Sequence, residues 1–379
     1  MAGVHALLPF ARRLAIVVPH TWQDQNPALP GMHTRVKSLI VSLASTIAVL
    51  AIASYAYAQQ AHFDRLPPSV FDVLSPSARV KGAPGTMAIG QTSCRNIPAA
   101  QVRRRIVELA VQEWAFFGFA IVDQTVDEDD DGFPRRSRRP GDAQSARVAA
   151  SIGGYWAVAP GGDWIIGSQN KIWNGIDGIQ SRWRFPWSAA FVSWVMCEGG
   201  LRDADQFQRA IAHHTYIDQA IRARDQAASR AAFVAHNAGE AAVAAGDLLC
   251  TSRRPAYSTI EERRRQMGAG ARTHCDIVVK VDPAAARILA IGGNVRGTVG
   301  LKILPAVNDG GAVRLADRSQ SLGGRAVFAH LKLRAATGDG DAFDTSPTIK
   351  ALSCAGPSAA GARRAASRIV TPAALRCTD

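Results

Sequence analysis

The chain has 379 residues, 47% hydrophobic and 20% charged, and its 44 Lys and Arg against 31 Asp and Glu give a net charge of +13. That length supports one large domain or two modest ones with a substantial core. The six cysteines show no CxxC and no Cys/His ligand spacing, which argues against a structural zinc site.

Met32 to Lys37 form a short basic segment, Ser38 to Ser54 an uncharged run of small and apolar residues, and Ala56-Tyr57-Ala58 a small-x-small site. This is the layout of a secretory signal peptide over 32–58. An uncleaved anchor fits less well, because the run is rich in Ala and Ser and the cleavage site follows directly, so no stable transmembrane segment is expected after processing. Residues 1–31 precede the basic segment and are read as an upstream extension from a misassigned start. All six cysteines follow the cleavage site, and an even count in an exported chain predicts disulfides. Export also changes the meaning of the charge, which is about +10 once the four Lys/Arg and one Asp of residues 1–58 are removed. In a cytosolic protein it would suggest nucleic acid. In an exported one an anionic envelope polymer is the better partner, and a solvated surface better still.

Residues 59–97, rich in Pro, Ser and Gly, read as a linker. A helix is predicted from Pro98 to Phe117, with Val102, Ile106, Leu109 and Ala110 on one face and Gly118 as its stop. Asp127, Asp129, Asp131 and Gly132 reproduce the start of a calcium loop, but its twelfth position is Arg138, so a charged surface loop is preferred. Residues 151–187, with Trp156, Trp164, Trp173 and Trp183 among Gly and Asn, suggest an aromatic-lined loop region.

Pro186 cannot continue a helix, and apolar residues then recur at Phe191, Val192, Val195 and Met196 up to Gly199-Gly200. Ser188 therefore stands at a helix N-terminus. A nucleophile there would have free N–H groups to stabilise an oxyanion. On the local pattern alone an N-cap serine, with Trp187 and Val192 as a hydrophobic staple, is the favoured role. A second helix is predicted over Asp205–Arg224, with His214 inside its apolar stripe and His213 at the edge, near Tyr216. Strands follow at Gly246–Cys250, His274–Lys280, Ile288–Gly292 and Val327–Leu333, and a long basic loop spans Thr251–Thr273. Residues 335–379 read as a low-complexity tail, with Cys354 and Cys377 tied together. Helices first and strands afterwards give an α+β class.

Three features then stand in order: Trp187-Ser-Ala-Ala-Phe-Val192 opening a helix, His274-Cys-Asp-Ile-Val278 opening a strand, and Gly293-Asn294 ending the next. With Gly246-Asp247 between them, the series resembles the papain-like cell-wall amidohydrolases of the CHAP and NlpC type. The Pro186-Trp-Ser-Ala-Ala-Phe191, His213-to-Ile217 and His274-to-Val278 combination looks closer still to a family of exported bacterial proteins catalogued as a domain of unknown function. The resemblance covers about 98–334 and implies a papain-like core, with N-terminal helices packed on a small antiparallel sheet.

It also implies a hydrolase of peptidoglycan amide or peptide bonds, needing no cofactor or metal. Ser188 would be the nucleophile, in place of the family's cysteine, and His274 the base, oriented by Asn294, Asp276 or Asp247. Trp187, His213, Tyr216 and Asp247 would contact substrate. Serine is not ionised by a helix dipole as cysteine is, so it needs a base within hydrogen-bond reach. The alternative is a binding module on the same fold, holding peptidoglycan or another anionic envelope polymer in the periplasm or outside the cell. Asp276 lies two residues from His274, on the same strand face. Cys250 and Cys275, on strands expected to be neighbours, predict a cross-strand disulfide.

Overall fold

The computed structural model describes residues 63–125, 142–226, 229–316, 325–336 and 341–377, all within one compact unit, 60–379. The leader reading of 1–58 and the calcium-loop pattern lie outside the described residues.

A short helix α1 (Pro68–Phe71) and a small hairpin, β1 (Val80–Lys81) with β2 (Ala88–Ile89), lead into α2 (Val102–Phe116). Strand β3 (Ala120–Asp123) and helices α3 (Asp142–Ala157), α4 (Gly162–Trp173), α5 (Ser188–Glu198) and α6 (His214–Asp225) follow. Then come β4 (Phe233–His236), β5 (Leu248–Arg254), a short α7 (Ile260–Arg264), β6 (Arg272–Asp282), β7 (Arg287–Val295), β8 (Thr298–Asp309), β9 (Ala312–Leu315) and β10 (Val327–Leu333). Helices α8 (Pro347–Ser353) and α9 (Ala360–Ala366) and a short helical turn over Pro372–Leu375 close the described chain.

Eight strands form one sheet in the order β3-β8-β7-β6-β5-β10-β4, with β9 added to β8. All its pairs are antiparallel except β3 with β8, which is parallel. The fold is thus mixed α/β with a large mixed sheet, and the small antiparallel sheet of the sequence reading is corrected. Helices α2 and α5 pack on one face of the sheet, over Cys275, Ile277, Val279, Leu289 and Ile291. A smaller cluster fills the other face, with Leu249, Val278, Ile288, Ala290 and Leu304. Alternate residues therefore bury on opposite faces, which is why these strands read as unbroken apolar runs.

Helix α5 is buried along its whole length, so its N-terminus is fixed by core packing. Gly293 allows this: a Cβ there would lie 2.5 Å from Phe191 Cβ. The lead-in is no linker. Phe71, Val73 and Met87 are in the core, Arg79 pairs with the buried Glu198 of α5, and Cys94 is bonded to Cys197. Buried polar groups need such partners.

Residues 335–379 likewise pack rather than trail. Phe343, Ile349 and Leu352 are buried, and Cys354 is bonded to Cys377. The expected loop region over 151–187 holds the second half of α3 and all of α4. These helices escape the sequence pattern because Gly153, Gly154, Gly162 and Gly167 interrupt their apolar runs. Gly154 and Gly162 are close-packing positions, where a Cβ would overlap the backbone of Pro76 and Trp156. The helix expected over 205–224 begins only at His214. The Gln219 side chain takes the N–H of Gln208 and donates to the carbonyls of Ala204 and Asp205, binding that stretch as a loop against the helix.

Candidate functional site

The site starts at the first turn of α5. Trp187 precedes it, its ring buried between Phe117 and Tyr155 at centroid distances of 5.7 and 5.8 Å. Ser188 is the first helical residue, and no side chain caps this terminus. The N-cap reading of Ser188 therefore fails: its hydroxyl lies 2.6 Å from His213 Nε2. The N–H groups of the first turn have no helical partner, because the helix ladder opens with Phe191 N donating to Trp187 O.

His213 sits at the start of α6, whose next turn brings Tyr216 alongside. The Tyr216 hydroxyl is hydrogen-bonded to His213 Nδ1, so both ring nitrogens have partners. Burial above all, then the neighbouring His274, holds His213 well below the ordinary histidine range. The ring is therefore neutral at pH 7, with one nitrogen donating and the other accepting. Burial and the nearby Asp276 raise Tyr216 well above its usual range, so it keeps its proton. In one tautomer Nδ1–H donates to the Tyr216 oxygen, leaving Nε2 to accept from Ser188. That arrangement lets a neutral imidazole take the hydroxyl proton.

A second group, which includes a charged carboxylate, stands beside the first. The His274 ring centroid is 5.3 Å from that of His213. His274 Nε2 is 2.9 Å from Asp276 Oδ1, and the other carboxylate oxygen accepts from Lys302 Nζ at 2.8 Å. The carboxylate crosses over β7 to reach Lys302 on β8, and Gly292 makes room for it. A Cβ at 292 would sit 1.9 Å from Asp276 Oδ1 and 3.0 Å from His274 Nε2. Burial alone would push the Asp276 carboxyl up, but His274 and Lys302 outweigh it and hold the group well below the usual carboxylate range. His274 is 18% exposed and Asp276 fully buried, so of these two only the imidazole reaches solvent.

The structure thus brings together Ser188, His213 and Tyr216, with His274 and Asp276 alongside. The histidine on Ser188 is His213, where the sequence reading expected His274. Asn294 adopts a left-handed conformation (φ 57°) at an irregular stretch of β7, and the hydrogen bonds described for both histidines go to other residues. Asp247 is elsewhere and fully occupied. It accepts from Arg103, His330 and the backbone N–H groups of Ala244 and Leu333, which ties α2 to β5 and β10.

Lys302 was missed, although a lone charge inside Leu301-Lys302-Ile303-Leu304 is a legible signal for a buried partner. The Cys250–Cys275 disulfide joins the paired strands β5 and β6 at the residue next to His274. Among the described residues, no group of three or more His, Cys, Asp or Glu is placed to hold a metal ion, and no helix is long and apolar enough to cross a membrane.

No curated protein and no solved structure matches the chain. Residues 149–333, the stretch that carries Ser188, His213, Tyr216, His274, Asp276 and Lys302, match the model of a family described as an uncharacterized protein conserved in bacteria (DUF2272).

Proposed function

We propose that the chain is an exported hydrolase that cleaves an amide or peptide bond of the bacterial cell wall through Ser188. The observation that carries this reading is the 2.6 Å contact between Ser188 Oγ and His213 Nε2 at the open turn of α5. Nucleophile, base and a third group orienting the base are the parts such chemistry requires, and geometry rather than chain order defines them. In the proposed reaction Ser188 Oγ attacks the carbonyl carbon while His213 Nε2 takes the hydroxyl proton. First-turn N–H groups of α5 receive the developing oxyanion. His213 returns the proton to the leaving amine, and water, deprotonated by the same ring, releases the acyl group from Ser188. Tyr216 holds the ring in the accepting tautomer.

The cell wall as target rests on the resemblance in motif order to the papain-like CHAP and NlpC amidohydrolases, and so does a papain-like description of the core. A non-catalytic binding module is the second reading, favoured by the burial of Ser188 and His213 to 6% and 3% exposure. Isolated cell wall incubated with wild type and with Ser188→Ala, His213→Ala and Ser188→Cys separates the two. Soluble fragments from wild type and Ser188→Cys, but from neither alanine variant, support catalysis. Equal, negligible release with all four proteins still pelleting with the wall removes catalysis and leaves binding.

A further inference from the structure

Beyond the Ser188 group, the end of the β5–β6 pair concentrates positive charge. Arg254 is paired directly across the strands with Arg272, and the register shifts between Ser252 and Arg254, so Arg253 is the extra residue of a bulge. Two residues of a bulged strand oppose one on its neighbour, so Arg253 and Arg254 both stand against Arg272. Arg325 is partly buried two residues before Val327, which pairs with Thr251 of β5, so the antiparallel register brings it toward Arg253; burial and then the charge of Arg253 hold its guanidinium below its ordinary range. Like charges directly opposite on a sheet destabilise it. Among the described residues no carboxylate forms an ion pair with any of the four, whereas Arg224, Arg263 and Arg264 each have one. Arg272 and His274 are two apart on β6, hence on one face and about 7 Å apart along the strand.

We propose that Arg253, Arg254, Arg272 and Arg325 form an anion-binding site for a phosphate group carried by an envelope polymer or lipid. Four guanidinium groups carried on or next to neighbouring strand positions offer more donors than the two oxygens of a carboxylate can accept, and phosphate supplies more acceptors. A phosphate held there lies about 7 Å along β6 from His274, whose ring neighbours that of His213. That placement, as a substrate-binding extension of the Ser188 site, rests on the hydrolase reading; the anion site does not.

The test measures binding of a short polyphosphate chain, of polyglutamate, and of vesicles with and without phosphatidylglycerol. The proteins are full-length wild type, the triple variant R253Q/R254Q/R272Q and the exposed control Arg222→Gln, which lies on α6 and outside the β5–β6 pair. Polyphosphate affinity is expected to fall about tenfold for each arginine removed from the cluster, the size of a lost charge-assisted hydrogen bond, and to be unchanged in the control. The triple variant should melt no lower than wild type, since repulsion has been relieved, and this separates lost binding from lost folding. Preference for polyphosphate over the vesicles assigns the phosphate to a soluble polymer, and the reverse to a lipid headgroup. Equal loss per charge in the cluster and control variants overturns the site, and polyglutamate binding as tightly as polyphosphate overturns the phosphate assignment. The same measurements on Ser188→Ala keep the two ideas apart. Binding retained there, with no wall hydrolysis by wild type, removes the hydrolase and leaves the anion site standing.

Discussion

Gly292→Ala tests the charged group beside Ser188 through a single methyl. The added Cβ would lie 1.9 Å from Asp276 Oδ1, where ordinary contact needs about 3.4 Å, so the carboxylate must retreat by roughly 1.5 Å. Its bonds to His274 and Lys302 are 2.9 and 2.8 Å long, and such a retreat takes both past the limit of about 3.2 Å for a good N–H···O bond. Asp276 is fully buried and Lys302 nearly so, so solvent does little to replace what is lost. Breaking a buried ion pair of this kind costs about 3–5 kcal/mol, which at this chain length is a fall in melting temperature on the order of 10 °C. The control is Gly167→Ala, in the middle of α4, where a new Cβ meets nothing within 4 Å. That exchange should stabilise by up to about 1 kcal/mol through helix propensity. Thermal unfolding followed by circular dichroism reads both. If Gly292→Ala melts within a degree of wild type, or if the two variants move in the same direction, the crossing carboxylate is not holding this part of the sheet as described.

The remaining predictions concern the histidine, the acid limb of stability and the disulfides. Tyr216→Phe leaves His213 Nδ1 buried without a partner, a cost of about 1–3 kcal/mol. Under the hydrolase reading, fragment release should drop roughly 10- to 100-fold while Ser188→Ala abolishes it, and unchanged turnover in the phenylalanine variant would refute an orienting role. His213 is depressed in the folded state, so the unfolded chain binds its proton first and stability falls as pH drops below about 6.5. Asp276 is also depressed. Its contribution is complete above the unfolded value near 4 and is lost as pH falls below that. Urea midpoints from pH 7 to pH 3 should therefore fall in two stages, and His213→Asn should flatten the first. Finally, Cys94 and Cys197 are 103 residues apart, while the other two pairs span 25 and 23. Loop-closure entropy then ranks their removal: about 4–5 kcal/mol for the first by paired Cys→Ser exchange and about 3 kcal/mol for the others. Equal losses for all three in chemical denaturation would contradict that ranking.

Parts of this fold were legible in the sequence because they depend on neighbouring residues. Helix α5 begins after Pro186 and ends before Gly199-Gly200, since proline and glycine act on the backbone wherever they stand. Strands β5, β6, β7 and β10 showed as apolar runs, and the Cys250–Cys275 bond followed once β5 and β6 were taken as neighbours. Where an element is buried on every side and glycines break the pattern, as in the second half of α3, periodicity carries little signal; in α4 the buried Ile165, Ile166, Gln169 and Trp173 do keep helical spacing, but Gly162 and Gly167 obscured it.

The chemistry of the site was divided in the same way. Sequence pattern put Ser188 at the start of a helix and His274 with Asp276 on one face of a strand. Which histidine meets Ser188 was decided only in three dimensions, where α6 lies so that His213, 25 residues away, reaches the hydroxyl and Tyr216 backs it. Gly292, Asp276 and Lys302 belong to three adjacent strands, and their relation exists only once β6, β7 and β8 pair in register. A local pattern records which face of an element is buried. It cannot record which side chain from another element fills the space opposite, because that choice is made by the packing of the whole core.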